Sequence, residues 1–424
     1  MPVWIFVPSC LRGEILGARA RGQYNALMGK ALEGLRVLDL TRMLPGPYAS
    51  MILADLGARV LKVEDTAKGD PTRWSPRHLT RTGSTFRILN RGKQSISVNL
   101  KSAEGAEIFR RLVRDADVVL EGFRPGVMQR LRLDYESLRS IEPRLIYCSV
   151  SGYGQSGPMR ERGGHDVNYL ALAGVLGLQT DEHGSPVLSG IQVADLGGAL
   201  FAVIGILAAL AARERTGAGQ HVDVAMMDVG IALLPVPASR LFAGQNVPLG
   251  ARLPLSGGLA CYNVYATADG RHLSVGALEE KFWERFCKAI GREDFVGRHM
   301  ASEEIQNLMM HEIRQVVKTR TLAEWLEVFS GIDACVEPVL GLEEVSQNPQ
   351  VRHRGMIMAV NHPRDGQTHQ LNLPFKLSVT PPAIGNPAPL LGEHTREVLA
   401  SLGYSSDQIQ QLVASGIVRM TNDE

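Results

Sequence analysis

The sequence predicts an α/β protein of two domains, with a parallel sheet in the larger one. Three observations carry that expectation. Short apolar runs of strand length alternate with helical segments through the first half of the chain. The stretches between the runs are long enough for right-handed crossovers. The chain has 424 residues, more than one domain usually holds, and its 44 glycines supply strand-to-helix turns.

The elements follow in order. Residues 35–40 (LRVLDL) read as a buried strand, followed by the turn MLPGP and an apolar helix over 48–56. Residues 59–63 (RVLKV) and 95–98 are the second and third strands. Residues 102–115 read as a helix capped by Ser102, with Glu104 in its first turn. A serine hydroxyl there accepts an orphan backbone N–H, and an acid suits the positive end of the helix dipole. Residues 117–120 and 145–150 are two further strands. Residues 193–213 form one long buried helix with Asp195 near its start; the turn TGAGQ and a strand over 221–224 follow. From 253 to 350 the character changes. A strand pair within 262–275 turns at ADG, and the helices over 279–290 and 322–329 carry most of the charge. The tail over 390–413 has an acidic turn, GEHT, and two short helices, and returns to the first domain. The expected division is an extension over 1–31, a large domain over 32–230, a small domain over 253–350 and a return over 375–424.

The charge balance of 45 basic and 44 acidic residues argues against a general nucleic-acid or membrane-surface binder, which needs a basic excess. The longest apolar stretch, 198–211, is too short and too closely bounded by charges to span a bilayer. Five scattered cysteines with no CxxC pair point to a reducing compartment and no zinc site. Residues 1–31 hold Arg12, Arg19 and Arg21 but a single acid, Glu14. They read either as a mitochondrial presequence or as lying upstream of a start at Met28, since ordered patterning begins at Leu32. The expected location is cytoplasmic, or mitochondrial under the first reading.

Gly152-Tyr-Gly-Gln-Ser-Gly157 matches GxGxxG after a strand. The dinucleotide fingerprint must open a helix, whereas Pro158 and then Arg160 to Gly164 read as loop, so a structural turn is the better reading. Gly164-His165-Asp166-Val167-Asn168-Tyr169 sets four polar side chains beside an apolar segment, a satisfied structural network or a site. Asp195 is either a helix cap or a functional anion. Gly197 and Gly198 after it allow a ligand to approach the backbone, and free N–H groups at a helix start could hold an oxyanion. Glu279 and Glu280 stand at a strand-to-helix junction, where most acids cap a helix. Arg91, Lys93 and Lys101, and Arg124, Arg130 and Arg132, form basic clusters that are solvated faces or a polyphosphate site.

Taken together, the segments LEGLRVLDLTRMLPGPYAS, LADLGARVLKVE, EGFRPGVMQRL, LIYCSVSGYGQSGP, ADLGGALFAVIGILAAL, TGAGQHVDVAMMD and APLLGEHTREVL resemble the class III CoA-transferases, the carnitine- and bile-acid-metabolising family. The resemblance runs from Leu32 onward. It implies a Rossmann-like large domain with a smaller α+β domain in an interlocked homodimer. The active site would lie between the large domain of one chain and the small domain of the other. It implies an acyl-CoA thioester as partner, with coenzyme A as part of the substrate and no separate cofactor or metal.

The resemblance carries two chemistries. In transferases an Asp at the position of Asp195 attacks the thioester and forms a mixed anhydride. In α-methylacyl-CoA racemases that Asp and a His of a GHDxNY motif exchange the α-proton from opposite faces. Three features lean to the racemase: His165 in an intact GHDVNY; Gly276-Ala-Leu-Glu279, similar to the segment whose Glu orients the His; and Pro45-Gly-Pro47. The LLGEHT tail leans to the transferases. The resemblance assigns Asp195, His165 and Glu279 to catalysis, with Asp166, Tyr169, Tyr262 and Gly197 in support. It assigns CoA binding to Arg91, Gly122, Phe123, Arg124 and Arg130. It also sets Asp65 where relatives often carry an Arg on the nucleotide phosphates, with Lys68 as a substitute.

Overall fold

A computed structural model describes residues 29–74, 83–181, 183–362 and 366–421. The readings of 1–28, including the presequence and the start at Met28, lie outside the described residues. The chain divides into two compact units.

The first unit comprises the described residues of Met1–Gly163, Asp195–Ala225 and Met358–Glu424. Its sheet has strands β1 (Arg36–Asp39), β2 (Arg59–Glu64), β3 (Lys93–Val98), β4 (Val118–Glu121), β5 (Ile146–Ser151), β6 (His221–Ala225) and, late in the chain, β12 (Val418–Arg419). The order is β12-β3-β2-β1-β4-β5-β6. All pairings are parallel except that of β12, which runs antiparallel along β3. The order therefore reverses between β1 and β4, the switch point at which open α/β sheets form a crevice. Six strands, β1 to β6, were legible from their short, mainly apolar runs, as in a sheet buried on both faces. Ser102 Oγ accepts the Gly105 N–H at 3.0 Å, as the cap reading requires. The first helix, Pro45–Asp55, begins three residues earlier than expected, since Pro45 and Pro47 need no helical hydrogen bond in a first turn. The two-residue β12 carries too short a pattern to be read.

The helix Val193–Thr216 corrects one expectation. Its 24 residues make it long and apolar enough, by length and composition, to cross a membrane. It is nevertheless packed along one face, where Ala199, Ala202, Val203, Ile206 and Ala209 are buried. A Cβ at Gly205 would come within 2.6 Å of Val222 on β6, so glycine sets that close approach. Leu200, Ile204 and Leu207 remain exposed on the other side.

Beneath the C-terminal ends of β1 to β3 lies a fully buried ionic network. Lys93 Nζ donates to Asp39 at 3.1 Å and to Asn90 at 2.8 Å. Lys62 Nζ donates to the Thr41 carbonyl at 2.8 Å and pairs with Asp70 at 3.1 Å. Arg73 forms a bidentate pair with Glu64 at 2.8 and 2.6 Å. Burial alone would raise the Asp39 carboxyl, but Lys93 and Lys62, together with hydrogen bonds from Ser50 and Thr41, outweigh it and hold it at about 2.

The second unit comprises Gly164–Ala194 and Met226–Ile357. It contains the antiparallel sheet β7 (Tyr262–Ala266), β8 (His272–Gly276) and β9 (Val336–Pro338), in that order. Trp283, Phe286, Ile313 and Trp325 pack its core. The division differs from the expected one. Its boundaries fall at 163/164, 194/195, 225/226 and 357/358 rather than at 230, 253, 350 and 375, and residues 164–194 leave the large unit. A two-stranded sheet of β10 (Ile357–His362) and β11 (Gly366–Leu371) follows the second unit, where the sequence reading placed no strand.

Candidate active site

In the second unit the GHDVNY segment folds into a turn and the short helix Asp166–Leu172, with His165 as N-cap in extended backbone. Most of its polarity has a structural use. Asn168 Oδ1 accepts the His165 N–H at 3.0 Å. The Tyr169 hydroxyl donates to the Gly164 carbonyl at 2.5 Å. Asp166 Oδ1 accepts the Ala194 N–H at 2.7 Å, one residue before Asp195 in the sequence. That bond satisfies an orphan donor in the first turn of the helix Val193–Thr216. Sequence reasoning missed this task of Asp166, because partners 28 residues apart leave no local signal. The His165 imidazole is the exception. It is exposed and has no hydrogen bond among the described residues.

Glu279 is the N-cap of the helix Glu280–Ala289, in extended backbone and exposed. The junction before it is braced. Gly276 N–H donates to Cys335 O at 2.9 Å, Ala277 N–H to Cys261 O at 2.8 Å, and His299 Nε2 stands 3.2 Å from Ala277 O. Tyr262 lies opposite Gly276 in the β7–β8 ladder, so the fold brings it to the Glu279 segment. The expected pairing of Glu279 with His165 is not made within one chain. The Glu279 carboxylate has no hydrogen bond or ion pair among the described residues.

Asp195 belongs to the first unit and occupies the first turn of its helix, half-buried, where the dipole favours its anion. Gly197 and Gly198 behind it are buried. The free N–H reading is narrowed, since Asp166 already occupies the Ala194 N–H.

The CoA candidates divide. Gly122, Arg124 and Arg130 are exposed at the C-terminal end of β4, and Phe123 is half-buried with its N–H on Glu121 Oε2 at 2.8 Å. Arg124, Gln129, Arg130 and Arg160 line an open groove of about 640 Å³. Arg91 is a correction. It is 1% exposed and pairs with Asp55 at 2.6 Å, Gln370 at 2.9 Å and the Leu371 carbonyl at 2.7 Å, which commits Nε, Nη1 and Nη2 alike to buried partners. A buried guanidinium needs such partners, but they are 36 to 280 residues away and invisible in the sequence. Asp65 is absorbed by its own loop, where Oδ1 accepts the N–H groups of Ala67 and Lys68 at 2.9 Å each. The GxGxxG segment opens no helix: loop runs from Gly152 to His165. Gln155 N–H is instead tied to Asp223 at 3.0 Å.

One feature escaped the sequence reading. Glu121 pairs in register with Ser149, and Tyr147 with His221, so these side chains share a sheet face. Ser149 Oγ lies 3.0 Å from His221 Nε2, and Tyr135 stacks on the His221 ring at 5.5 Å. The group lines a pocket of about 240 Å³. Polar residues inside apolar strand runs were the available signal. Burial pushes the Glu121 carboxyl up to about 7, against hydrogen bonds from Ser149 and Phe123. Because the folded pKa lies above the unfolded value, the fold holds an extra proton between about pH 4.5 and 7. The stability this proton confers is complete below that window and lost as pH rises through it. Glu121→Gln is therefore expected to gain roughly 2–3 kcal/mol relative to the parent between pH 5 and pH 8, read as paired urea denaturation curves at the two pH values.

Among the described residues no group of three or more His, Cys, Asp or Glu side chains could hold a metal. The parallel sheet with its switch-point crevice and the His165 and Asp195 motifs define an α/β enzyme of a recognisable class. The chain belongs to CoA-transferase family III, which it matches over residues 32–395. Human α-methylacyl-CoA racemase is 38% identical over 399 residues, spanning 92% of this chain and 97% of the racemase. Succinyl-CoA:glutarate CoA-transferase of Mus musculus is 35% identical over 408 residues, spanning 92% of this chain and 90% of that enzyme. The crystal structure of a CAIB/BAIF family protein from Brucella suis superposes with a TM-score of 0.77 at 30% identity, covering 88% of this chain and all of that one.

Proposed function

We propose that this family III enzyme racemises 2-methyl-branched acyl-CoA thioesters by two-base proton transfer at the α-carbon. One base removes the α-proton to leave a thioester enolate, and the other returns a proton to the opposite face. Asp195 and His165 are these bases, and Glu279 orients the histidine. The observation that carries the reading is His165. Its neighbours Asp166, Asn168 and Tyr169 are all engaged in holding the turn, while its imidazole is exposed with no structural partner among the described residues. The similarity to a racemase over nearly the whole chain supports it.

The second reading is CoA transfer from an acyl-CoA to a free carboxylate through an Asp195 acyl anhydride. It is supported by the similarity to transferases over the same span. Either chemistry is proposed to run in a homodimer. Support comes from the exposed apolar side chains Leu200 and Ile204 in the first unit and Phe242 and Leu249 in the second, which a solvated monomer would not be expected to display.

Incubating a single enantiomer of a 2-methylacyl-CoA in deuterated water tests the first reading. The expected result is α-deuterium incorporation with loss of optical purity. Retention of the α-proton, together with CoA transfer to added dicarboxylates, would establish the second reading instead.

A further inference from the structure

We propose that Arg42 is a phosphate-binding residue for the nucleotide end of the CoA thioester, an inference that rests on the acyl-CoA reading above. Arg42 stands on the loop that leaves β1, and Phe123 on the loop that leaves β4. These loops flank the point where the strand order reverses, the place where open α/β sheets receive ligands. They are in contact there: Leu40 N–H donates to the Leu120 carbonyl at 2.8 Å, and a Cβ on Gly122 would touch Thr41 at 3.8 Å. The Arg42 guanidinium lies 5.2 Å over the Phe123 ring, and no ion pair holds it among the described residues.

Each part of this arrangement is held from below. Phe123 is fixed by its N–H on Glu121. The next residue, Met43, has φ 70°, a left-handed backbone that costs a non-glycine residue energy. Its N–H reaches Asp70 Oδ1 at 3.3 Å, so the buried ionic network sustains that conformation. The strained turn keeps residue 42 outward: Arg42 is exposed. An exposed arginine held by a ring rather than by a carboxylate can offer its N–H fork to a ligand, and a fork suits phosphate oxygens. Asp65 faces the same edge and feels the Arg42 charge, yet its Oδ1 is occupied by its own loop. With Arg124 and Arg130 on the β4 side of the crevice, Arg42 supplies the cation on the β1 side.

The test is calorimetric binding of coenzyme A and of pantetheine, which lacks the nucleotide and its phosphates, to the parent protein, Arg42→Leu and Arg42→Lys. The expected result is a Kd for coenzyme A weakened about 10–100-fold in Arg42→Leu, the loss of a charge-assisted phosphate contact. Arg42→Lys should recover part of it, and the Kd for pantetheine should not follow. Equal coenzyme A affinity of the parent and Arg42→Leu overturns the inference while leaving the acyl-CoA reading in place. An equal loss for both ligands overturns it in favour of a structural role. A parent that binds no coenzyme A overturns the acyl-CoA reading itself, and the inference with it.

Discussion

His165→Ala is expected to slow racemisation of a 2-methylacyl-CoA by about 10²–10⁴-fold, the usual contribution of one positioned general acid or base. The fold should be indifferent to the change. His165 serves the helix Asp166–Leu172 through its backbone, since its N–H binds Asn168 and its carbonyl accepts from Asn168 N–H at 2.8 Å. The melting temperature is therefore expected to stay within a degree or two while the rate collapses. Asp195→Asn should abolish racemisation as well, because inversion needs a base on each face; the remaining base can at most exchange the α-proton of the one enantiomer that faces it. The pair of variants also separates the two chemistries. A transferase would keep CoA transfer in His165→Ala, lose it in Asp195→Asn, and be inactivated by hydroxylamine during turnover. A His165→Ala enzyme that racemises the substrate at the parental rate would remove His165 from the mechanism.

The largest expected effect on stability comes from a residue that the family resemblance assigned to binding. Arg91→Leu should destabilise the protein by about 3–5 kcal/mol, the cost of stranding one member of a buried ion pair. Asp55 is 1% exposed and would keep its charge with no counter-ion at hydrogen-bond distance, while Gln370 and the Leu371 carbonyl would lose their donor. The double variant Asp55→Leu/Arg91→Leu should recover part of the loss, since the stranded charge is gone and only the neutral acceptors stay unsatisfied. Urea denaturation of the parent and both variants checks this. A soluble Arg91→Leu protein of parental stability with weakened coenzyme A affinity would return Arg91 to the binding site.

What the sequence could show follows from how local each signal is. The strands β1 to β6 were read from short, mainly apolar runs bounded by turns, and such runs declare themselves. Asp195 and His165 stood out because each interrupts or borders an apolar segment. Arg91 and Arg130 look alike in a sequence: both are arginines in short basic clusters. Only the fold separates them, by placing Asp55 and Gln370 around one and solvent around the other. Glu121, Ser149 and His221 were hidden for a related reason. Each is a polar residue in or at the end of a run read as a strand, and their meeting depends on the register of three strands. Arg42 was unreadable because its position depends on the left-handed Met43 beside it and on a ring 81 residues away.

The position of β12 has a consequence for how the chain is made. Val418 pairs with Val98, and Val398, Leu399 and Ile409 share one core with Ile96, Phe109 and Val119. On the ribosome, the first unit must therefore wait with an open sheet edge and an unfilled core while some three hundred residues are added. The second unit has all of its pieces once residue 357 has emerged. Domains that close late, through pairings this distant in sequence, fold slowly and expose apolar surface meanwhile. The nascent protein should thus depend on chaperone protection until its synthesis is nearly complete.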